Sequence, residues 1–230
     1  LSGLSSLYAL FLAEGDLLRP IEPLRDAPFR EDLSAILKYT GKTNALFTRL
    51  MLHVAELSLQ SPPRGRVKLL DPVAGKGTTL FEGLMRGYDV SGIEIVRQAA
   101  HDAAVYFEKY LETEKWKHKA QKEKLYGVPV WRFTFARDKE LLRENPGRLT
   151  MVAGDARHAD RFFGKAAFDI VAGDLPYGVA HGNVAGGDRT RSPEGLVTAC
   201  LPAWRAALRP GGVLALSWNT LVFSRDNMVK

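Results

Sequence analysis

Leu69–Gly83 reads LLDPVAGKGTTLFEG, and its spacing decides the fold. Apolar residues end in an acid, a loop carries Gly75 and Gly77, and from Thr78 the pattern becomes helical. Glycines in such a loop let the backbone pass close beneath a ligand, and the free amides of the helix start favour negative charge there. A phosphate-binding P-loop needs a glycine five positions before its Gly-Lys pair and a Ser or Thr after the lysine, but Leu70 and Gly77 occupy those places. A dinucleotide-binding fingerprint needs a third glycine where Leu80 stands.

Outward from this loop, strand and helix alternate. Val67–Leu70 reads as a strand, Thr78–Arg86 as a helix, Val90–Ile95 as a strand and Gln98–Leu125 as a long helix. WRFTF (131–135) alternates like a strand, 149–153 and 168–172 are buried strands, Glu194–Leu208 is a helix, and Val213–Ser217 is a strand after the turn RPGG. This order predicts an α/β fold with a doubly wound, mainly parallel, Rossmann-like sheet whose ligand sits at the carboxyl ends of the strands. Residues 1–60 are expected to form a mostly helical extension, with Thr43 capping a helix that carries Leu46, Leu50, Val54 and Leu57. Residues 61–230 form the sheet domain, with a basic helical insertion at about 98–148. Past Ser217 only NTLVFSRDNMVK follows.

Composition bounds the function. The chain is 46% hydrophobic and 25% charged, as a protein with a full core should be. No apolar run reaches the ~18 residues of a membrane span, and the apolar start runs into Glu14 and Asp16 rather than resembling a signal peptide. A cytoplasmic setting is expected, with Cys200 as the lone cysteine and no metal constellation. Net charge is +6 and the pI is near 9.4, compatible with a polyanionic partner. The block Lys109–Lys124, KYLETEKWKHKAQKEK, is either a solvated face or a phosphate-binding ridge.

The acids at the strand ends point to a small ligand. S-adenosylmethionine carries a carboxylate suited to the helix start and an ammonium that Asp71 would accept. Glu94, closing the next strand, is placed to bind ribose hydroxyls, with a surface acid as the plain alternative. Asp155, in AGDARHAD, would accept adenine's amino hydrogens or cap the segment after it. The stretch FDIVAGDLPYG (168–178) then offers an amine site. Asp174 and the carbonyl of Leu175 would accept the hydrogens of a planar amine, Pro176 would hold Leu175 extended, and Tyr177 would stack on a flat base. A simple turn is the other reading. Gly178–Gly187 reads as a flap, with His181, Arg189 and Arg191 available for phosphate. Cys200 lies in an apolar helix, against a nucleophile's role, and Trp116, Trp131 and Phe135 read as core.

At these motifs the chain resembles class I S-adenosylmethionine-dependent amino-methyltransferases, with DPVAGKGTTLFEG like their motif I and DLPYG like their motif IV. KYTGKTNALFTRL (38–50) is similar to the stretch ahead of motif I in enzymes that methylate the exocyclic amine of guanine in RNA. The resemblance covers about residues 38–220. It implies a methyltransferase with S-adenosylmethionine as cofactor and RNA as partner. Asp71, Gly75 and Gly77, with Pro72 and Thr78 of the same motif, would bind the methionine end, Glu94 the ribose and Asp155 the adenine. Asp174, Leu175, Pro176 and Tyr177 would form the amine site. The residues ahead of motif I are expected to be too few and too helical for the separate RNA-binding domain usual in that group, and the basic insertion would take its place. DNA adenine or cytosine amines, a protein glutamine amide, and a non-catalytic RNA-binding module are the alternatives.

Overall fold

The computed structural model describes residues 9–21, 28–30, 32–34, 43–176 and 193–228. In chain order it contains β1 (Leu10–Glu14), β2 (Leu17–Ile21), α1 (Ala45–Leu57), β3 (Lys68–Asp71), α2 (Thr78–Met85), β4 (Asp89–Glu94), α3 (Arg97–Thr113), β5 (Lys117–Leu125) and β6 (Val128–Ala136). There follow α4 (Lys139–Glu144), β7 (Gly147–Ala153), a 3-10 turn (Ala156–His158), α5 (Ala159–Phe163), β8 (Phe168–Asp174), α6 (Pro193–Ala207), β9 (Leu208–Ser217) and α7 (Arg225–Met228).

Seven strands form one sheet in the order β5-β6-β7-β4-β3-β8-β9. From β7 to β9 the neighbours are parallel, while β6 runs antiparallel both to β7 and to β5, with which it forms a hairpin. The chain winds outward from β3 through β4 to β7 and then crosses to β8 on the other side of β3. The switch point therefore falls between the carboxyl ends of β3 and β8, where open α/β sheets bind ligands. Both faces are covered, so successive strand residues enter opposite cores. Leu69 and Ile170 pack with α2 and α3, whereas Leu70 and Val171 pack with Trp204 and Cys200 of α6. That two-sided burial explains why these strands read as continuous apolar runs.

The helix expected over Gln98–Leu125 ends at Thr113. Lys115 adopts a left-handed φ of 57° and Trp116 N–H bonds back to the Leu111 carbonyl, which closes the helix; Lys117–Leu125 then pairs along its whole length with β6. Tyr126 and Gly127, at φ 51° and 84°, make the two-residue turn. Lys, Glu, Gln and Ala favour helix in isolation, and cross-strand pairing overrides that preference. The insertion thus extends the sheet by a hairpin rather than by a helical arm.

In the extension expected to be mostly helical, the described residues hold a strand pair as well as a helix. Leu10–Glu14 and Leu17–Ile21 pair antiparallel around Gly15–Asp16, with Gly15 at φ 62°. The helix beyond them is capped by Asn44, which accepts from Leu46 N and Phe47 N, and not by Thr43. Its buried residues are Thr48, Leu52, His53 and Ala55, while Leu46, Leu50, Val54 and Leu57 are exposed. The segment Arg209–Gly212, expected as a turn ahead of the last strand, lies inside β9, whose register against β8 shifts opposite Phe168–Ile170. Trp116, Trp131 and Phe135 are buried as expected, Trp116 stacking on Phe29 at 4.3 Å.

Candidate active site

Three acids meet at the carboxyl end of the sheet because three strands end there: Asp71 on β3, Glu94 on β4 and Asp174 on β8. Asp71 is only 2% exposed. Its Oδ1 accepts from Val73 N at 2.9 Å, and the Thr79 side chain also bonds it. Burial pushes its carboxyl up to about 7, against the pull of these hydrogen bonds, and the charges of Glu94 and Asp174 add to the rise. Among the described residues no cation forms an ion pair with it.

The glycine loop is stitched to β4. Ala74 N donates to the Ile93 carbonyl at 2.9 Å and Gly75 N to Glu94 Oε2 at 2.8 Å, while Glu94 Oε1 accepts from Val96 N at 2.8 Å. Gly77 precedes α2 at φ 94°, where a side chain would be strained and its Cβ would lie 3.1 Å from the Phe81 ring. Lys76 reaches sideways to Asp102 of α3 at 2.9 Å. Pro72 and Thr78 lie in this same loop and helix start, with Thr78 buried.

Asp155 is the cap of the 3-10 turn. Its Oδ1 accepts from Arg157 N at 2.9 Å and its Oδ2 from Arg157 Nε at 2.9 Å and Nη2 at 2.6 Å. Burial favours the neutral acid, but the Arg157 side chain and backbone N–H outweigh it and hold the carboxyl below its ordinary range.

Asp174 sits between two hydroxyls. Thr43 Oγ1 donates to Oδ2 at 2.8 Å and Ser217 Oγ to Oδ1 at 2.5 Å. Leu175 is buried and its N–H donates to the Ser217 carbonyl at 2.8 Å, continuing the β8–β9 ladder by one residue, and Pro176 follows half-buried. Tyr177, His181, Arg189, Arg191 and the Gly178–Gly187 flap lie outside the described residues. The structure therefore brings Asp71, Glu94 and Asp174 to one end of the sheet with the glycine loop, and gives Asp155 a capping bond beside them. Thr43, Thr79 and Ser217 were not singled out as site residues, because only the folded chain brings their hydroxyls to these carboxylates. Away from this site, Glu108 and Glu112 of α3 and His118 of β5 each bring one ligand atom within 4.8 Å of the others, a grouping that turns on the hairpin and was not expected from sequence.

Gly173 has a role that spacing alone did not reveal. A Cβ there would stand 2.9 Å from Val73 Cγ2 and 3.2 Å from Asp71 Oδ1, so β8 passes close behind the Asp71 loop. Gly173→Ala is expected to cost roughly 1–3 kcal/mol through overpacking, read as a lower midpoint in urea unfolding. Cys200 is fully buried in α6, and burial pushes its thiol up to about 12, which suits packing rather than nucleophilic attack.

No protein-family model matches the chain, and no curated protein matches it. Among solved structures it is similar to the rRNA methyltransferase aviRa from Streptomyces viridochromogenes, at 19% identity over 82% of each chain with a TM-score of 0.50. It is also similar to the PH0226 protein from Pyrococcus horikoshii, at 18% identity over 84% of this chain and 68% of that one, with a TM-score of 0.44. A candidate type II methyltransferase from Anaeromyxobacter dehalogenans matches at 14% identity over 78% of this chain and 48% of that one, with a TM-score of 0.39. The chain spans about half the length of this last protein. At such identities the likeness is one of fold. The chain has the Rossmann-like α/β fold of class I methyltransferases. No helix among the described residues is long and apolar enough to cross a membrane.

Proposed function

We propose that the protein is an S-adenosylmethionine-dependent methyltransferase acting on the exocyclic amine of a nucleic-acid base, guanine in RNA. The observation that carries this reading is the meeting of Asp71 and Asp174 across the switch point, an acid of the glycine loop facing an acid of the DLPY segment. The residues suit the cofactor. Asp71, buried and raised to about 7 without a paired cation among the described residues, suits a ligand ammonium. Glu94 would meet the ribose, while the Gly75–Gly77 loop and the start of α2 would meet the carboxylate.

When bound, S-adenosylmethionine supplies a methyl carbon on a sulfonium, and its transfer leaves the bonding electron pair on sulfur. Asp174 would accept one hydrogen of the target amine and the carbonyl of Leu175 the other, which lets the nitrogen lone pair leave conjugation with the ring. The Asp174 carboxylate would stabilise positive charge developing on the amine nitrogen and would pass one N–H proton to solvent. Pro176 keeps Leu175 extended, so its carbonyl points to one place. Tyr177 would stack on the base, and His181, Arg189 and Arg191 would meet phosphates. The single experiment that tests the function is incubation with tritiated S-adenosylmethionine and total RNA, DNA or protein, followed by nucleoside and peptide analysis. Label in N2-methylguanosine supports it; label in DNA or glutamine, or none, overturns it.

The state of Asp71 gives cofactor binding a pH dependence. The ammonium pairs with the ionised carboxylate, which predominates above about 7 in the free protein. Affinity is therefore expected to rise with pH on the acid side of about 7, by at most about tenfold per pH unit, and to fall again as the ligand's own ammonium loses its proton above about 8. Calorimetric titration between about pH 5.5 and 8.5 reads this, and an Asp71→Asn variant should bind weakly with no such rise.

A further inference from the structure

We infer that Thr43, together with Ser217, is a positioning residue that sets the orientation of the Asp174 carboxylate for amine binding, an inference that rests on the function proposed above. Thr43 stands just ahead of α1, yet its hydroxyl is not used by the helix, because Asn44 supplies the cap to Leu46 N and Phe47 N. Instead it reaches Asp174 Oδ2 at 2.8 Å across 131 positions of sequence. Ser217 reaches the other oxygen as the register partner of Asp174 on β9.

The two bonds differ in what they require. The Ser217 contact follows from strand pairing, since Asp174 and Ser217 are opposed in the sheet and Leu175 N–H takes the Ser217 carbonyl. The Thr43 contact requires α1 to be held against the sheet domain. That hold is visible: Arg49 Nε of α1 pairs at 3.1 Å with Glu82 of α2, whose side chain is 1% exposed, and Ser34 donates to the same carboxylate. Leu52 and Ala55 are buried beside Leu80 and Leu84 in the same core. The start of α1 is therefore fixed relative to the helix that follows the glycine loop.

A carboxylate offers two acceptor positions on each oxygen, and one hydroxyl on each oxygen fixes both its rotation and its plane. Such a clamp matters here because an amine hydrogen must meet the carboxylate while its nitrogen faces the methyl donor. A displacement of about 1 Å at such a site can cost roughly 10²-fold in rate. Without Thr43 the carboxylate loses this bond on Oδ2 and keeps the Ser217 bond on Oδ1, which shifts its hold toward β9. The segment ahead of the glycine loop thus contributes an atom to the amine site that is remote from it in sequence.

The test compares Thr43→Val, which keeps the shape and removes the donor, with Thr43→Ser, which keeps the donor. Single-turnover methyl transfer to RNA should slow roughly 10- to 100-fold in Thr43→Val and stay within about threefold of the parent in Thr43→Ser. Cofactor affinity should be unchanged in both, and the thermal midpoint should fall by no more than a few degrees in Thr43→Val. The carbon-13 resonance of the Asp174 carboxylate supplies a readout independent of activity, because a hydrogen bond polarises its acceptor. It should move in Thr43→Val and return toward the parental position in Thr43→Ser. A Thr43→Val protein that reacts at the parental rate overturns the inference. So does a Thr43→Ser protein as slow as Thr43→Val, or an Asp174 resonance that does not move. If the parent protein methylates no RNA, the proposed function fails, and the resonance still reports whether Thr43 holds Asp174.

Discussion

Asp174→Ala is expected to slow methyl transfer by roughly 10²- to 10³-fold, the effect of removing one group aimed at charge that develops in the transition state. Affinity for S-adenosylmethionine should stay within about threefold of the parent. The two readouts separate because Asp174 ends β8, whereas the glycine loop and its stitches to Ile93 and Glu94 belong to β3 and β4. Removing the carboxylate also leaves the hydroxyls of Thr43 and Ser217 without their acceptor, at a part-buried site where water can replace it. The folding penalty should be small as a result. Single-turnover transfer of label to RNA and calorimetric titration of the cofactor measure the pair. Equal losses in both would assign Asp174 to the cofactor instead of the amine.

Asp71→Asn should act in opposite directions on two quantities, sharply weakening cofactor affinity while stabilising the free protein. Its carboxyl is raised from 3.8 to about 7 in the folded chain. The folded state thus binds the proton more tightly than the unfolded state does, and stability contributed by the neutral acid is complete below about 4. It declines as pH rises from about 4 to about 7, and above about 7 the folded chain carries the full penalty of a buried charge. About three pH units correspond to at most about 4 kcal/mol, since each is worth about 1.4 kcal/mol. Asparagine keeps an acceptor for Val73 N and carries no charge, so the variant should melt roughly 5–10 °C higher at about pH 8 and near the parental midpoint at about pH 4. Thermal unfolding at the two pH values checks this. A variant that melts lower on the alkaline side would mean that Asp71 is stabilised there by a partner that asparagine cannot keep.

Much of the sheet was legible because its strands are buried on both faces. Leu69–Leu70, Met151–Val152 and Ile170–Val171 form short apolar runs of the kind a covered parallel sheet produces. Asp71, Glu94 and Asp174 were legible for a related reason, as acids that end such runs. The hairpin β5–β6 was not, because β5 lies at an edge, and its Lys, Gln and Glu side chains show none of the alternation that marks a half-buried strand. Leu46, Leu50, Val54 and Leu57 misled in the other direction. Their helical spacing is real, but Thr48, Leu52, His53 and Ala55 form the face that packs. Thr43 and Ser217 follow from no local pattern, since a hydroxyl reveals its acceptor only when two distant segments meet.

The hairpin at the edge has a further consequence for how this chain could have arisen. Its outer strand is polar, but Trp131, Phe133 and Phe135 of β6 reach inward to the same core as Phe29 and Phe107, with Phe107 and Phe133 edge to face at 5.5 Å. An ornament grafted onto a finished domain would be free to come and go among descendants. This one shares its aromatic rings with the host core, so its loss would strip Phe29 and Phe107 of ring contacts and would require the neighbouring helix to be rewritten at the same time.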